Sequence, residues 1–256
     1  AQLQFILEQL QRAQEEHNKK IAKKKKVAAQ EETPVQQWPF NSMLRKYKLF
    51  QYTSDFDSAG ILYWMGTCFG HRKQYTNPQA LGVITVESSA PFENGSVELL
   101  VQYVPNVNNG YNTSLGSCNL QNVVGSVITI DLQYIEVQLH HYTLRHTASG
   151  NDECLRNWKL FGGTDKNHDL EKFELIKEHV NDSALQGKGC THTWDLRADQ
   201  ENQKSKFYKV LKLLHVGPNS SSTNYMSLAG MELYGLVRML PIQLEQGKHS
   251  KKCVLQ

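Results

Sequence analysis

Two hydrophobic rhythms divide the chain. Leu3, Ile6, Leu7, Leu10 and Ala13 recur at spacings of three and four, which lays them along one narrow stripe of a helix. That spacing predicts a helix over residues 1–31. Its continuation, EEHNKKIAKKKKVAAQEE, keeps helix formers but loses the stripe, and six lysines fall between Lys19 and Lys26. TPVQQWPF then brings two prolines, which remove N–H donors and stop the helix. Residues 32–45 therefore read as a Pro-containing linker that packs through Trp38 and Phe40 onto the body of the chain.

From residue 46 to 240 the texture changes. GILYWMGT, ALGVITVESS, VELLVQYV, VVGSVITIDL, YIEVQLHHYTLRH, NWKLFGGT, FELIKEHV, THTWDL, FYKVLKLLHVG and AGMELYGLVRML are short β-branched and aromatic runs separated by Gly, Asn, Pro and Ser. Turn-separated runs of this kind predict strands of an all-β sandwich or barrel. In YIEVQLHHYTLRH, Ile135, Val137 and Leu139 fall on the core face, and the alternation loosens after His140. In AGMELYG, Met231 and Leu233 lie on one face, Glu232 and Tyr234 on the other. The tail 241–256 is polar and basic.

Composition narrows the function classes. Charge is +3 from 28 basic and 25 acidic residues, too balanced to predict specific nucleic-acid binding. No run of about 18 apolar residues occurs, so no transmembrane segment is expected. Five widely spaced cysteines without a C-x-x-C pair fit reduced thiols, and the amino end lacks a signal layout. The expected location is cytoplasmic, with cytoskeletal or ciliary attachment through the helix. The sequons at Asn94, Asn112, Asn181 and Asn219 are read as turns.

YTLRHTASGNDECLRNWKLFGGTD, LIKEHVNDSAL, HTWDL and HVGPNSSSTNYMSLAGMELYG together resemble a discoidin or coagulation-factor type C domain. The subtype they are most similar to is the Sad1/UNC-like module of a HECT-type ubiquitin ligase, which also has relatives among BTB-domain proteins. YTSDFDSAGILYWMGT and TNPQALGVITVESS match its opening, so the resemblance runs from Tyr47 to about Arg238. It implies a galactose-binding-like jelly-roll β-sandwich, a recognition module without catalysis or cofactor; the N-terminal α-helical extension, read from periodicity, lies outside the resemblance. The stretch between Ser89 and Asn122 departs from the pattern, and NVNNGYNTSLGSCN reads as a surface insertion.

Candidate chemistry is sparse. Asp55, Asp57 and Gly60 open like a calcium loop, but the twelfth position, where an EF-hand needs Glu, is Gly66. A turn explains the segment better, with Gly60 at positive φ; a looser calcium site completed from another loop stays open. His140, His141, His146 and His192, beside Cys190, lack the ligand spacing of a zinc site. Gly162-Gly163 suggests a tight turn after the anchors Leu155, Trp158 and Leu160. No nucleophile elbow, P-loop or H-E-x-x-H is present, and Cys68 or Cys154 as nucleophile has no supporting pattern.

Binding is expected at the loop mouths, on Asn77, Arg156, Asn157, Asn219, Asn224 and Tyr225, with turn formation as the competing role. A sugar site would draw on Tyr225 or Tyr75 as its aromatic platform. Leu3, Ile6, Leu7 and Leu10 predict a helix interface, as in a coiled coil. Lys23, Lys24, Lys25 and Lys26 predict contact with an acidic surface such as tubulin or anionic lipid. CVLQ has the C-a-a-X form, so Cys253 is a candidate for prenylation and membrane attachment. The leading expectation is a scaffold module in a larger protein assembly. The alternatives are the substrate-recognition part of a ubiquitin ligase, or a carbohydrate- or lipid-binding discoidin-type module.

Overall fold

The computed structural model describes residues 47–105, 118–148, 150–165, 169–198 and 206–240, all within the unit Arg45–Gln256. The helix with its stripe and lysines, the linker and the tail with Cys253 lie outside the described residues.

Eleven strands and one short helix are seen among them: β1 (Tyr47–Phe50), α1 (Ile61–Gly66), β2 (Thr85–Ser88), β3 (Phe92–Asn94), β4 (Cys118–Leu120) and β5 (Val127–Asp131). After these come β6 (Ile135–His146), β7 (Trp158–Gly163), β8 (Glu174–His179), β9 (Thr191–Asp195), β10 (Val210–His215) and β11 (Met226–Met239). One sheet runs β3-β4-β11-β6-β9, and the other runs β2-β5-β10-β7-β8. β11 pairs with β6 along most of its length, so its opposite edge takes β4 at Met226–Leu228 and β1 at Gly235–Arg238.

The main core lies between the sheets. Cross-strand partners share a face, and Ile128, Ile130, Trp158, Leu160, Leu211 and Leu213 are each at most 1% exposed. Each such side chain contributes about 1.5–3 kcal/mol of transfer free energy. Opposite them, Ile135, Val137 and Leu139 fill the first half of β6. The loosening after His140 is a β-bulge: Tyr234 faces His141 while Gly235 faces Leu139, leaving His140 as the extra residue. Beyond it the core set changes parity to Tyr142 and Leu144, both fully buried.

Three expectations are corrected. GILYWMGT is not a strand but contains α1, which lies against β11 on the outer face of the six-stranded sheet. Its residues carry high strand propensity, and an apolar run this short has no period long enough to separate helix from strand. VELLVQYV is likewise not a strand: residues Val97–Val101 form a 3-10 helix that buries Val97, Leu100 and Val101. Gly60 has φ −73, not a positive value, and Phe56 takes the left-handed conformation at φ 54. Gly60 serves clearance instead, because a Cβ there would stand 2.1 Å from the Glu232 carboxyl carbon.

Gly162 and Gly163 also differ from the expected turn, since they end β7 as extended residues. A Cβ at Gly162 would meet the Tyr208 ring at 2.4 Å, and one at Gly163 the Phe173 ring at 2.7 Å. The region between Ser89 and Asn122 contributes β3 and β4 to the sheet. Leu155, Trp158 and Leu160 are fully buried anchors as expected, and Glu232 and Tyr234 do oppose Met231 and Leu233. Both faces of β11 are buried because the segment from Tyr52 through α1 covers the outer one.

Candidate functional site

Five of the six residues expected at the loop mouths come from segments 153–157 and 216–225, which are bonded to each other. Cys154 N donates to Ser220 Oγ (2.9 Å), Ser220 N to the Cys154 carbonyl (3.0 Å), and Val216 N to the Asn157 carbonyl (3.1 Å). The Asn157 amide donates to the Pro218 carbonyl (2.7 Å) and accepts from Asn181 N (2.9 Å). Asn219 donates to Thr223 Oγ1 (2.8 Å) and the Tyr225 carbonyl (3.1 Å), and accepts from Ser221 N and Thr223 N. Arg156 Nη1 donates to the Leu185 carbonyl (2.6 Å) and more weakly to that of Asp182. Asn224 N donates to Asn122 Oδ1 (2.6 Å).

Asn77 belongs to another set, donating to the Glu98 carbonyl (2.8 Å) and accepting from Gln79 N (2.9 Å). The Tyr75 hydroxyl donates to the Val101 carbonyl (2.6 Å). The amides and this phenol are thus engaged in holding loops. Tyr225 keeps a phenol whose pKa the Glu93 carboxylate raises.

Beneath the loop end lies a polar relay. Asp182 Oδ2 is 2.7 Å from His179 Nδ1, and His179 Nε2 is 2.6 Å from the Tyr142 hydroxyl. Trp158 Nε1 donates to that hydroxyl (3.1 Å), and Trp194 Nε1 donates to Asp182 Oδ2 (3.0 Å). The Trp158 and His179 rings stack at 3.9 Å. Burial pushes the Tyr142 phenol well up. It also pushes Asp182 up, but the Ala184 N–H, His179 and Trp194 outweigh it and hold the carboxyl below its ordinary range. Tyr142 and Trp158 are fully buried and His179 is 4% exposed, while Asp182 at the end of the relay keeps 19% of its side chain exposed. The relay makes the core specific.

On the outer face, Asp55 accepts from Thr191 and Thr193 hydroxyls (2.6 Å each) and from Tyr52 (2.7 Å). Burial raises its carboxyl, yet these donors together hold it below the usual range. Asp57 accepts from Ala59 N (2.8 Å), Ser54 N (3.1 Å) and the Thr53 hydroxyl. The Asp57 bonds are turn bonds, whereas Thr191 and Thr193 reach Asp55 from β9. Glu232 accepts from Leu62 N (2.7 Å) and Tyr63 N (3.0 Å), so β11 supplies the N-terminal cap of α1 from across the sequence. Burial pushes its carboxyl up to about 8 against these donors and the Leu233 N–H. Nearby, the buried Arg145 guanidinium stands 3.9 Å from the Phe56 ring centroid, and burial lowers it to about 10, so it stays charged at neutral pH.

The histidines are spread among separate contacts. His146 Nδ1 is 3.0 Å from the Ser227 carbonyl, His141 is 3.6 Å from Asp195, and His192 packs edge-on to Trp194. No group of three or more metal-ligating side chains occurs among the described residues.

A surface that the sequence reading missed flanks β1. Lys48 Nζ stands 4.6 Å from the Trp64 ring centroid and 4.7 Å from that of Phe50. It helps line a hollow of ≈ 590 Å³ with Trp64, Arg72 and Lys73. A second hollow of ≈ 470 Å³ is lined by Tyr52, His140, His141 and Arg197, and both share Leu49, Phe50 and Gln51. Burial holds Lys48, His140 and His141 below their ordinary pKa values. The local sequence signal is the interleaving of basic and aromatic residues in KYKLFQY.

No model of a known protein family matches the chain. It is 30% identical over 189 residues to E3 ubiquitin-protein ligase hecd-1 of Caenorhabditis elegans, a match covering 72% of this chain and 6% of that protein. It is 28% identical over 213 residues to E3 ubiquitin-protein ligase Ufd4 of Drosophila melanogaster, covering 81% of this chain and 7% of that one. The chain thus spans less than a tenth of the length of either relative. Among solved structures, the Clostridium perfringens module CpGH89CBM32-5, in complex with GalNAc-β-1,3-galactose, overlaps 61% of this chain and 98% of its own. That overlap has 13% identity and a TM-score of 0.44. The described body is thus a β-sandwich of two antiparallel sheets whose sequence is similar to segments of E3 ubiquitin-protein ligases.

Proposed function

We propose that the chain is a non-catalytic recognition module associated with a ubiquitin ligase, holding a protein substrate while chemistry is supplied elsewhere. The observation that carries this reading is the match to hecd-1 and Ufd4, which spans most of this chain and a small part of each ligase. The geometry supports it. The Tyr142 and His179 members of the relay are buried, and Cys154 is buried with its thiol bonded to the Asn151 carbonyl. A protein partner fits better than a sugar because the amides of Asn77, Asn157 and Asn219 are engaged within the fold.

Crosslinking and affinity capture on native material test it. The expected result is recovery of a ligase catalytic subunit, or a ligase chain bearing this segment, together with a protein whose ubiquitination falls when this chain is depleted. Recovery as a stoichiometric part of a filament, without ligase, overturns it.

A second reading, carried by the stripe Leu3, Ile6, Leu7 and Leu10 and the lysines 23–26, is a scaffold docked in a cytoskeletal or ciliary assembly. It predicts that removing residues 1–31 weakens assembly, and unchanged partner capture by the truncated chain overturns it. Prenylation at Cys253 belongs to this reading, and intact mass tests it: an unmodified carboxyl end removes the idea.

A further inference from the structure

We propose that the β1 flank is a docking surface for an acidic peptide segment carrying an apolar anchor, laid along β1 between the two hollows. The proposal rests on the recognition reading above and names its surface. β1 is hydrogen-bonded to β11 alone among the described residues, which makes it an outer strand, and outer strands are where extended peptides add to a sheet. Leu49 on this strand is 49% exposed and lines both hollows, and Tyr47 beside Phe207 is 59% exposed. The hollows, ≈ 590 and ≈ 470 Å³, fall within the range of about 300–1,000 Å³ typical of ligand sites.

Charge selects the partner. Lys48, Arg72 and Lys73 line the larger hollow, Arg197 the smaller, and no carboxylate lines either among the described residues. Asp195 grips Arg197 at 2.6 Å, so the excess rests on the larger hollow. Lys48 is held over two aromatic faces, a preorganised ammonium beside apolar ground. Lys48 is an exposed residue, so a carboxylate can reach its ammonium directly. The concave walls on both sides of one strand suit a narrow chain, whereas an anionic bilayer would meet them only at the rims.

The test titrates the full chain with three probes. One is a fluorescein-labelled ten-residue peptide of Asp and Glu with a central Phe, another the same peptide with Lys in place of every acid, and the third phosphatidylserine vesicles. The acidic peptide should bind, the basic one should not, and Lys48→Glu/Lys73→Glu should weaken binding by about tenfold or more. Raising salt from about 0.05 to 0.5 M should weaken it further. If the double variant loses its native near-UV signal, Lys73→Glu alone, at an exposed position, gives the readout.

No binding by the acidic peptide, binding indifferent to these substitutions, or binding by vesicles alone overturns the proposal. The two readings fail separately. If the charge-reversed chain still captures the same ligase-linked proteins, this surface falls and the recognition module stands. If the native chain captures none, the module reading falls, whatever the peptide titration shows.

Discussion

Glu232 shows how much one side chain can hold. Its carboxylate replaces the side-chain cap that α1 lacks at Gly60, and it does so from 170 residues away in sequence. Because burial raises its pKa to about 8, the folded protein keeps a proton that the unfolded chain releases near 4.5. Stability from this group is therefore full below about 4.5, falls as pH rises, and levels off above about 8. Glu232→Gln should flatten that part of the stability–pH curve, as urea unfolding at pH 5, 7 and 9 would show. A slope as steep as that of the native protein would refute the assignment. Tyr142→Phe leaves His179 Nε2 and Trp158 Nε1 without the hydroxyl they share, so it should cost about 1–3 kcal/mol in the same assay. The sequence showed Glu232 on the face opposite Leu233, but its partner at Leu62 was not legible, because no local pattern links a strand carboxylate to a distant helix end.

At the scale of elements, eight of the ten apolar runs read as strands contain strands. Alternation over a sheet is a local property, so it survives in the sequence. The exceptions were the runs that became helical. VELLVQYV does carry helix spacing in Val97, Leu100 and Val101, a signal masked by its β-branched composition. β1, β3 and β4 are only three or four residues long, too short for a period to declare itself. The bulge at His140 was visible as a break in alternation, although its meaning needed the register with β11. Deleting His140, the extra residue, should leave Ile135, Val137, Leu139, Tyr142 and Leu144 in unbroken alternation on the core face and preserve cooperative thermal unfolding. A deletion variant that unfolds without cooperativity would sink this account.

Among the described residues, the two sheets and the Tyr52-to-α1 cover enclose one core. Removing residues 1–31 should therefore leave the urea midpoint of the sandwich unchanged. A loss of several kcal/mol would show that the segment is part of the folding unit. The loop mouths chosen from sequence turned out to be joined by internal bonds, while the basic hollows formed where β1 and the 63–73 segment meet. Sequence distance hid that meeting.

The sequence alone determined the all-β body and the anchors around β7. Those features rest on local periodicity and residue chemistry, which any stretch of chain displays by itself. Only the tertiary structure decided that ILYWMG is a helix, that Gly162 and Gly163 make room for aromatic rings, and that Lys48 and Lys73 line one hollow beside Trp64. Each of these depends on which distant side chain occupies the neighbouring space, and that is settled by packing.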